Sequence, residues 1–118
     1  MQPVYTSSMT DPALREPTFL ILTALAAAPR HGYAIMTDVA EISAGRVRLQ
    51  PGSLYATLNR LLAEGLVAFD REEIVDGRLR RYYRLTDPGA RRLAAEVDRL
   101  SRTTAVARKR LKLLGEPA

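Results

Sequence analysis

From Ala90 to Leu114, the residues Ala90, Leu93, Val97, Leu100, Thr104, Ala107, Leu111 and Leu114 recur three and four positions apart without interruption. On a helix this spacing draws one narrow stripe, and a strict three-four repeat of that length is the seam of a coiled coil. A helix lying across its own domain would carry a wider apolar stripe. Residues 87–118 are therefore expected to form a long C-terminal dimerisation helix, with Leu93, Val97, Leu100, Thr104, Ala107, Leu111 and Leu114 against a second copy of the chain. Thr86 is placed to cap this helix, with Asp87 and Pro88 in its first turn.

The rest of the 118 residues has room for one compact core and no second folded domain. Pro3, Pro12 and Pro17 among Ser and Thr favour an N-terminal arm over residues 1–17. From Thr18, a candidate cap, Phe19, Leu20, Ile21, Leu22 and Leu25 are apolar on every side of a helix that Pro29 stops, as suits the middle of a core. Tyr33, Ile35, Met36, Val39 and Ile42 recur at helical spacing and give a second helix ending near Gly45. Val47-Arg48-Leu49 alternates like a brief strand, and Pro51-Gly52-Ser53 opens a third helix. There Leu54, Leu58, Leu61 and Leu62 form the inward stripe, with Ser53, Ala56, Thr57, Arg60 and Glu64 on the opposite side. Gly65 ends that helix, and two strands, Leu66–Glu73 and Leu79–Leu85, flank the hairpin signal Asp76-Gly77.

Helix, helix, short strand, helix and hairpin is the order of a winged helix-turn-helix, so the fold class is α+β, mainly helical. The winged domain spans 18–86 and the terminal helix follows. Lys and Arg number 18 against 13 Asp and Glu, a formal charge of +5 that suits a polyanionic partner. Arg71, Arg78, Arg80, Arg81 and Arg84 fall on the hairpin, where guanidinium groups suit phosphate; charged side chains also protect exposed strand edges. With a period of two, Tyr83 and Leu85 share the core face, and Arg80, Tyr82 and Arg84 share the other.

His31-Gly32-Tyr33, Pro51-Gly52-Ser53-Leu54-Tyr55, Arg60-Leu61-Leu62-Ala63-Glu64-Gly65-Leu66-Val67 and Arg81-Tyr82-Tyr83-Arg84-Leu85-Thr86 together resemble the PadR family of bacterial transcriptional regulators, in its short branch with a single C-terminal helix. The resemblance implies a homodimer whose paired third helices bind a pseudo-palindromic operator in double-stranded DNA, mostly as a repressor. It makes Ser53, Tyr55, Thr57, Asn59 and Arg60 the candidate DNA contacts of the recognition helix; the hairpin charge and the period of two add Arg78, Arg80, Tyr82 and Arg84 on the wing. Leu54 belongs to the inward stripe, and Ala56 stands where relatives often have proline. Some relatives bind small aromatic effectors at the dimer interface; this chain has no Trp for a tryptophan sandwich.

With no cysteine and His31 as its one histidine, the chain lacks the usual parts of a zinc site or a nucleophile-base pair, and a turn-fixing hydrogen bond suits His31 better. Asp38 and Glu41 sit one turn apart on what a solvated helix face explains, and no glycine-rich phosphate loop is present. The expectation is a regulator with no metal and no cofactor, not an enzyme. The longest apolar run, Phe19 to Ala28, is too short to cross a bilayer, so a cytoplasmic protein without membrane contact is expected. The alternative is a winged helix that binds protein and not DNA, whose third helix would present an apolar outer face.

Overall fold

The computed structural model describes residues 13–115. The elements run α1 (Glu16–Ala27), β1 (Arg30–His31), α2 (Gly32–Ile42), α3 (Pro51–Ala63), β2 (Val67–Val75), β3 (Arg78–Leu85) and α4 (Asp87–Leu113). Most of the arm expected over 1–17 lies outside the described residues; its end does not stay an arm, because α1 begins at Glu16 with Pro17 in the first turn. A proline there loses no intrahelical bond and has its φ already set for a helix. Thr18 is consequently not the cap. It is 4% exposed inside α1, and its Oγ1 accepts a hydrogen bond from Arg60 Nη2 at 3.1 Å.

Helix α1 is the axis of the core. Leu20, Ile21, Leu22, Ala24 and Leu25 are all buried, and Ile35 and Val39 of α2, Leu54, Leu58 and Leu61 of α3, Leu66, Val67 and Tyr83 close around them. An element apolar on every side has no solvent face to offer, so the other helices and the sheet must wrap it. The small sheet has the order β1-β3-β2 and is antiparallel throughout. Its turn, Asp76-Gly77, takes φ values of 52° and 76°, the left-handed pair that lets a two-residue hairpin follow the strand twist.

The brief strand is where the sequence pattern misleads. Val47-Arg48-Leu49 forms none: the Val47 N–H donates to Ser43 Oγ at 3.0 Å, and the Ser43 hydroxyl donates to the carbonyls of Val39 and Val47. The outer edge of β3 is taken instead by Arg30–His31, with Arg30 opposite Tyr83 and His31 opposite Tyr82. Between Phe69 and Arg71 the β2–β3 register shifts by one residue at Asp70, so Phe69 faces Tyr83 while Arg71 faces Tyr82. A bulge of this kind bends the strand and re-aims its side chains.

Thr86 caps α4 as expected, its Oγ1 accepting from the Gly89 N–H at 3.1 Å. The first half of α4 packs on the body, with Leu93 half-buried against the core, whereas every residue from Ser101 to Gly115 is exposed. No helix among the described residues is long and apolar enough to cross a membrane.

Candidate nucleic-acid interface

Helix α3 is seated by Leu54, Leu58 and Leu61, each fully buried, and its orientation follows from that stripe. Gly52, Ser53, Tyr55, Ala56, Asn59, Arg60 and Ala63 are exposed. The open face is small and polar, with Ala56 and Asn59 at its centre. Ser53 lies beside it, its hydroxyl donating to the Gln50 carbonyl at 3.0 Å while the oxygen stays free to accept.

The two flanks of this face differ. Toward α1, Thr57 is half-buried, and Arg60 reaches both Thr18 and Glu64, whose Oε2 lies 3.8 Å from Nη1. Arg60 is thus a brace between α3 and α1 whose guanidinium stays half exposed. Toward α2, Tyr55 lies over Gly32 so closely that a Cβ at position 32 would stand 2.2 Å from the Tyr55 hydroxyl oxygen. The segments His31-Gly32-Tyr33 and Pro51-Gly52-Ser53-Leu54-Tyr55 therefore meet in space, and glycine at 32 is what allows the contact.

On the wing, the arginines divide by their neighbours. Arg71 is held by Asp70 at 2.8 Å and Glu73 at 3.0 Å, and its guanidinium sits 4.0 Å above the Tyr82 ring. Arg81 pairs with Glu72 at 3.1 Å, and Arg84 approaches Asp70 at 3.9 Å. Arg78 and Arg80 have no ion pair among the described residues. The four acidic residues Asp70, Glu72, Glu73 and Asp76 leave the five-arginine hairpin with an excess of only one positive charge.

Tyr82, expected at the surface, is half-buried between Arg71 and the His31 ring, which meets it edge to face at 5.3 Å between centroids. The Arg71 guanidinium, followed by the Tyr82 hydroxyl, holds the Glu73 carboxyl below the usual carboxylate range. His31 Nδ1 accepts the Ala34 N–H at 3.4 Å and caps α2, the turn-fixing hydrogen bond expected of it. Burial first, and the nearby Arg80 charge second, keep the His31 ring below its ordinary pKa, so the neutral, bond-accepting form is favoured. Sequence periodicity places Tyr82 on one face with Arg80 and Arg84; the bulge at Asp70 brings Arg71 over its ring.

No cluster of three or more His, Cys, Asp or Glu side chains suited to a metal ion forms among the described residues. Chemically, the arrangement is a polar helix face bordered by a cationic hairpin, and it offers hydrogen bonds and charge.

Residues 21–95 match the model of the transcriptional regulator PadR-like family. Over 49 residues the chain is 49% identical to the transcriptional regulator Rv3488 of Mycobacterium tuberculosis, a stretch covering 42% of this chain and 45% of that protein. The match thus spans under half the length of that curated relative. Among solved structures, a PadR family transcription regulator from Clostridium difficile aligns with a TM-score of 0.70 at 24% identity, covering 82% of this chain and 99% of the other, which shows the shared fold. Bacillus subtilis PadR in complex with operator DNA aligns with a TM-score of 0.60 at 27% identity, covering 68% of this chain and 46% of the other.

Proposed function

This chain belongs to the PadR-like family of transcriptional regulators, and on that premise we propose that it acts as a homodimer that grips a pseudo-palindromic operator, by default as a repressor. The observation that carries this reading is the open polar face of α3, held outward by three buried leucines. In a winged helix that binds protein, an aromatic or other large apolar residue is expected at the centre of that face, where this chain has Ala56 and Asn59. The operator complex of Bacillus subtilis PadR supports the same reading.

In this proposal the division at residue 86 is functional, with 18–86 as the reading head and 87–118 as the subunit contact. Two copies of α3 enter successive major grooves about 34 Å apart. The Asn59 amide is suited to a base edge, since a carboxamide matches the donor-acceptor pair of adenine. Ser53, Tyr55 and Thr57 border it, and Arg60 contributes its exposed half. On the wing, Arg78 and Arg80 take phosphate, with Arg84 shared between DNA and Asp70 and with Tyr82 as their support. Val97, Leu100, Thr104, Ala107, Leu111 and Leu114 pair the subunits, while Leu93, expected in the same seam, is half-buried against the protein's own core and stands at its inner end. A small aromatic effector at that interface would alter the spacing of the heads and release DNA. The protein works in the cytoplasm by binding, without catalysis.

The test uses the duplex flanking the protein's own coding region. Asn59→Ala should change preference at one base pair in each half-site by about 1–3 kcal/mol while leaving unrelated duplex unaffected. Equal loss on all sequences would remove α3 from base recognition.

A further inference from the structure

Residues 1–98 contain twelve arginines and twelve acidic residues, a balance of zero. The whole net charge of +5 therefore comes from the last twenty residues. From Arg99 to Gly115 there are six cations, Arg99, Arg102, Arg108, Lys109, Arg110 and Lys112, and no acid. Arg99 is paired with Glu96, but the other five are exposed and make no ion pair among the described residues. The reading head 18–86 carries nine arginines and seven acids, a net of only +2, so the distal half of α4 holds most of the charge that attracts DNA at long range.

These cations are not an incidental fringe of the apolar seam. At 100° per residue, Arg102 and Lys109 lie opposite Leu100, Thr104 and Leu111, with Lys112 beside them. A partner helix covering the seam leaves all three in solvent. They span about 15 Å along the axis, a length over which duplex DNA presents about nine phosphate charges. A membrane-lying helix would keep its apolar residues on the face opposite its cations, yet α4 has no aromatic residue, its seam is interrupted by Thr104 and Ala107, and the exposed Val106 and Leu113 lie on the same side as Arg102 and Lys109.

We infer that Arg102, Lys109 and Lys112 form a second, sequence-blind contact for the phosphate backbone of duplex DNA, outside the site bound by α3. This rests on the DNA-binding reading above. The surface raises local DNA concentration and association rate, and α3 supplies discrimination.

The test compares wild-type protein with the triple variant R102Q/K109Q/K112Q, on the flanking duplex and on a scrambled duplex, across a salt series. Glutamine keeps helix propensity close to that of the residues replaced. The salt slope should fall by about 0.9 for each cation in contact, and affinity at 0.1 M salt by about eightfold per contact on both duplexes. Discrimination between the duplexes and the mass in solution should stay as in wild type, and Arg102→Lys should keep the slope. An unchanged slope on both duplexes overturns the inference. So does a drop in mass, which assigns the cations to the subunit contact, or selective loss of binding to anionic phospholipid vesicles with DNA binding intact. Wild-type protein that fails to distinguish the two duplexes refutes the reading of α3 instead, while the slope difference still decides this one.

Discussion

Gly32 shows how one missing carbon links two elements. Its hydrogen leaves room for the Tyr55 ring, and an added Cβ must push that ring or part α2 from α3. Gly32→Ala is expected to cost about 1–3 kcal/mol in urea unfolding, the usual range for overpacking, and to weaken DNA binding because Tyr55 borders the open face of α3. Glu96 is a second residue whose role is invisible in the stripe pattern. It is 6% exposed, and its carboxylate is held low by the Arg99 guanidinium first and by the Leu14 backbone N–H as well. A depressed folded-state pKa stabilises the fold at and above the ordinary Glu range and stops doing so as pH falls through the lower folded value. Acid unfolding should therefore show a loss of stability below about pH 4.5 that is absent in Glu96→Gln, followed by circular dichroism. His31 was legible as a turn residue; that it caps α2 while touching Tyr82 required the β1–β3 pairing.

At the scale of the elements, the hairpin carries the clearest lesson. Its turn, its two strands and the inward Tyr83 follow from Asp76-Gly77 and a period of two, and all are present. The availability of its arginines does not follow, because charge pairing depends on register, and register shifts at Asp70. Arg78→Gln and Arg80→Gln should each lower the salt slope of DNA binding by about 0.9, whereas Arg81→Gln, whose side chain is occupied by Glu72, should change it little. Equal effects at 80 and 81 would mean that the Glu72 pair opens on binding. Helix α3 was likewise legible as to which residues face inward; that Arg60 braces α1 was not, because Thr18 lies 42 positions away in the chain. Arg60→Ala should lower stability as well as affinity, measured by unfolding and binding side by side.

For the whole molecule, the distal stretch of α4 is the dominant fact. Val97 is 44% exposed, Leu100 39%, Leu111 44% and Leu114 78%, an apolar line that solvent would not favour on a monomer. Leu100→Asp should halve the mass in solution without unfolding the winged domain, and it should remove the dependence of melting temperature on protein concentration. The sequence by itself determined the helices, the hairpin, the inward leucines and the terminal stripe, since each rests on a short-range signal, a helical or strand repeat, an apolar run or a turn pair, set by neighbours along the chain. Only the tertiary structure decided that Arg30–His31 takes the edge of β3, that Thr18 is an acceptor for Arg60, and which wing arginines keep their charge unpaired. Those outcomes arise where side chains distant in sequence compete for the same partner, and local periodicity contains no record of that competition.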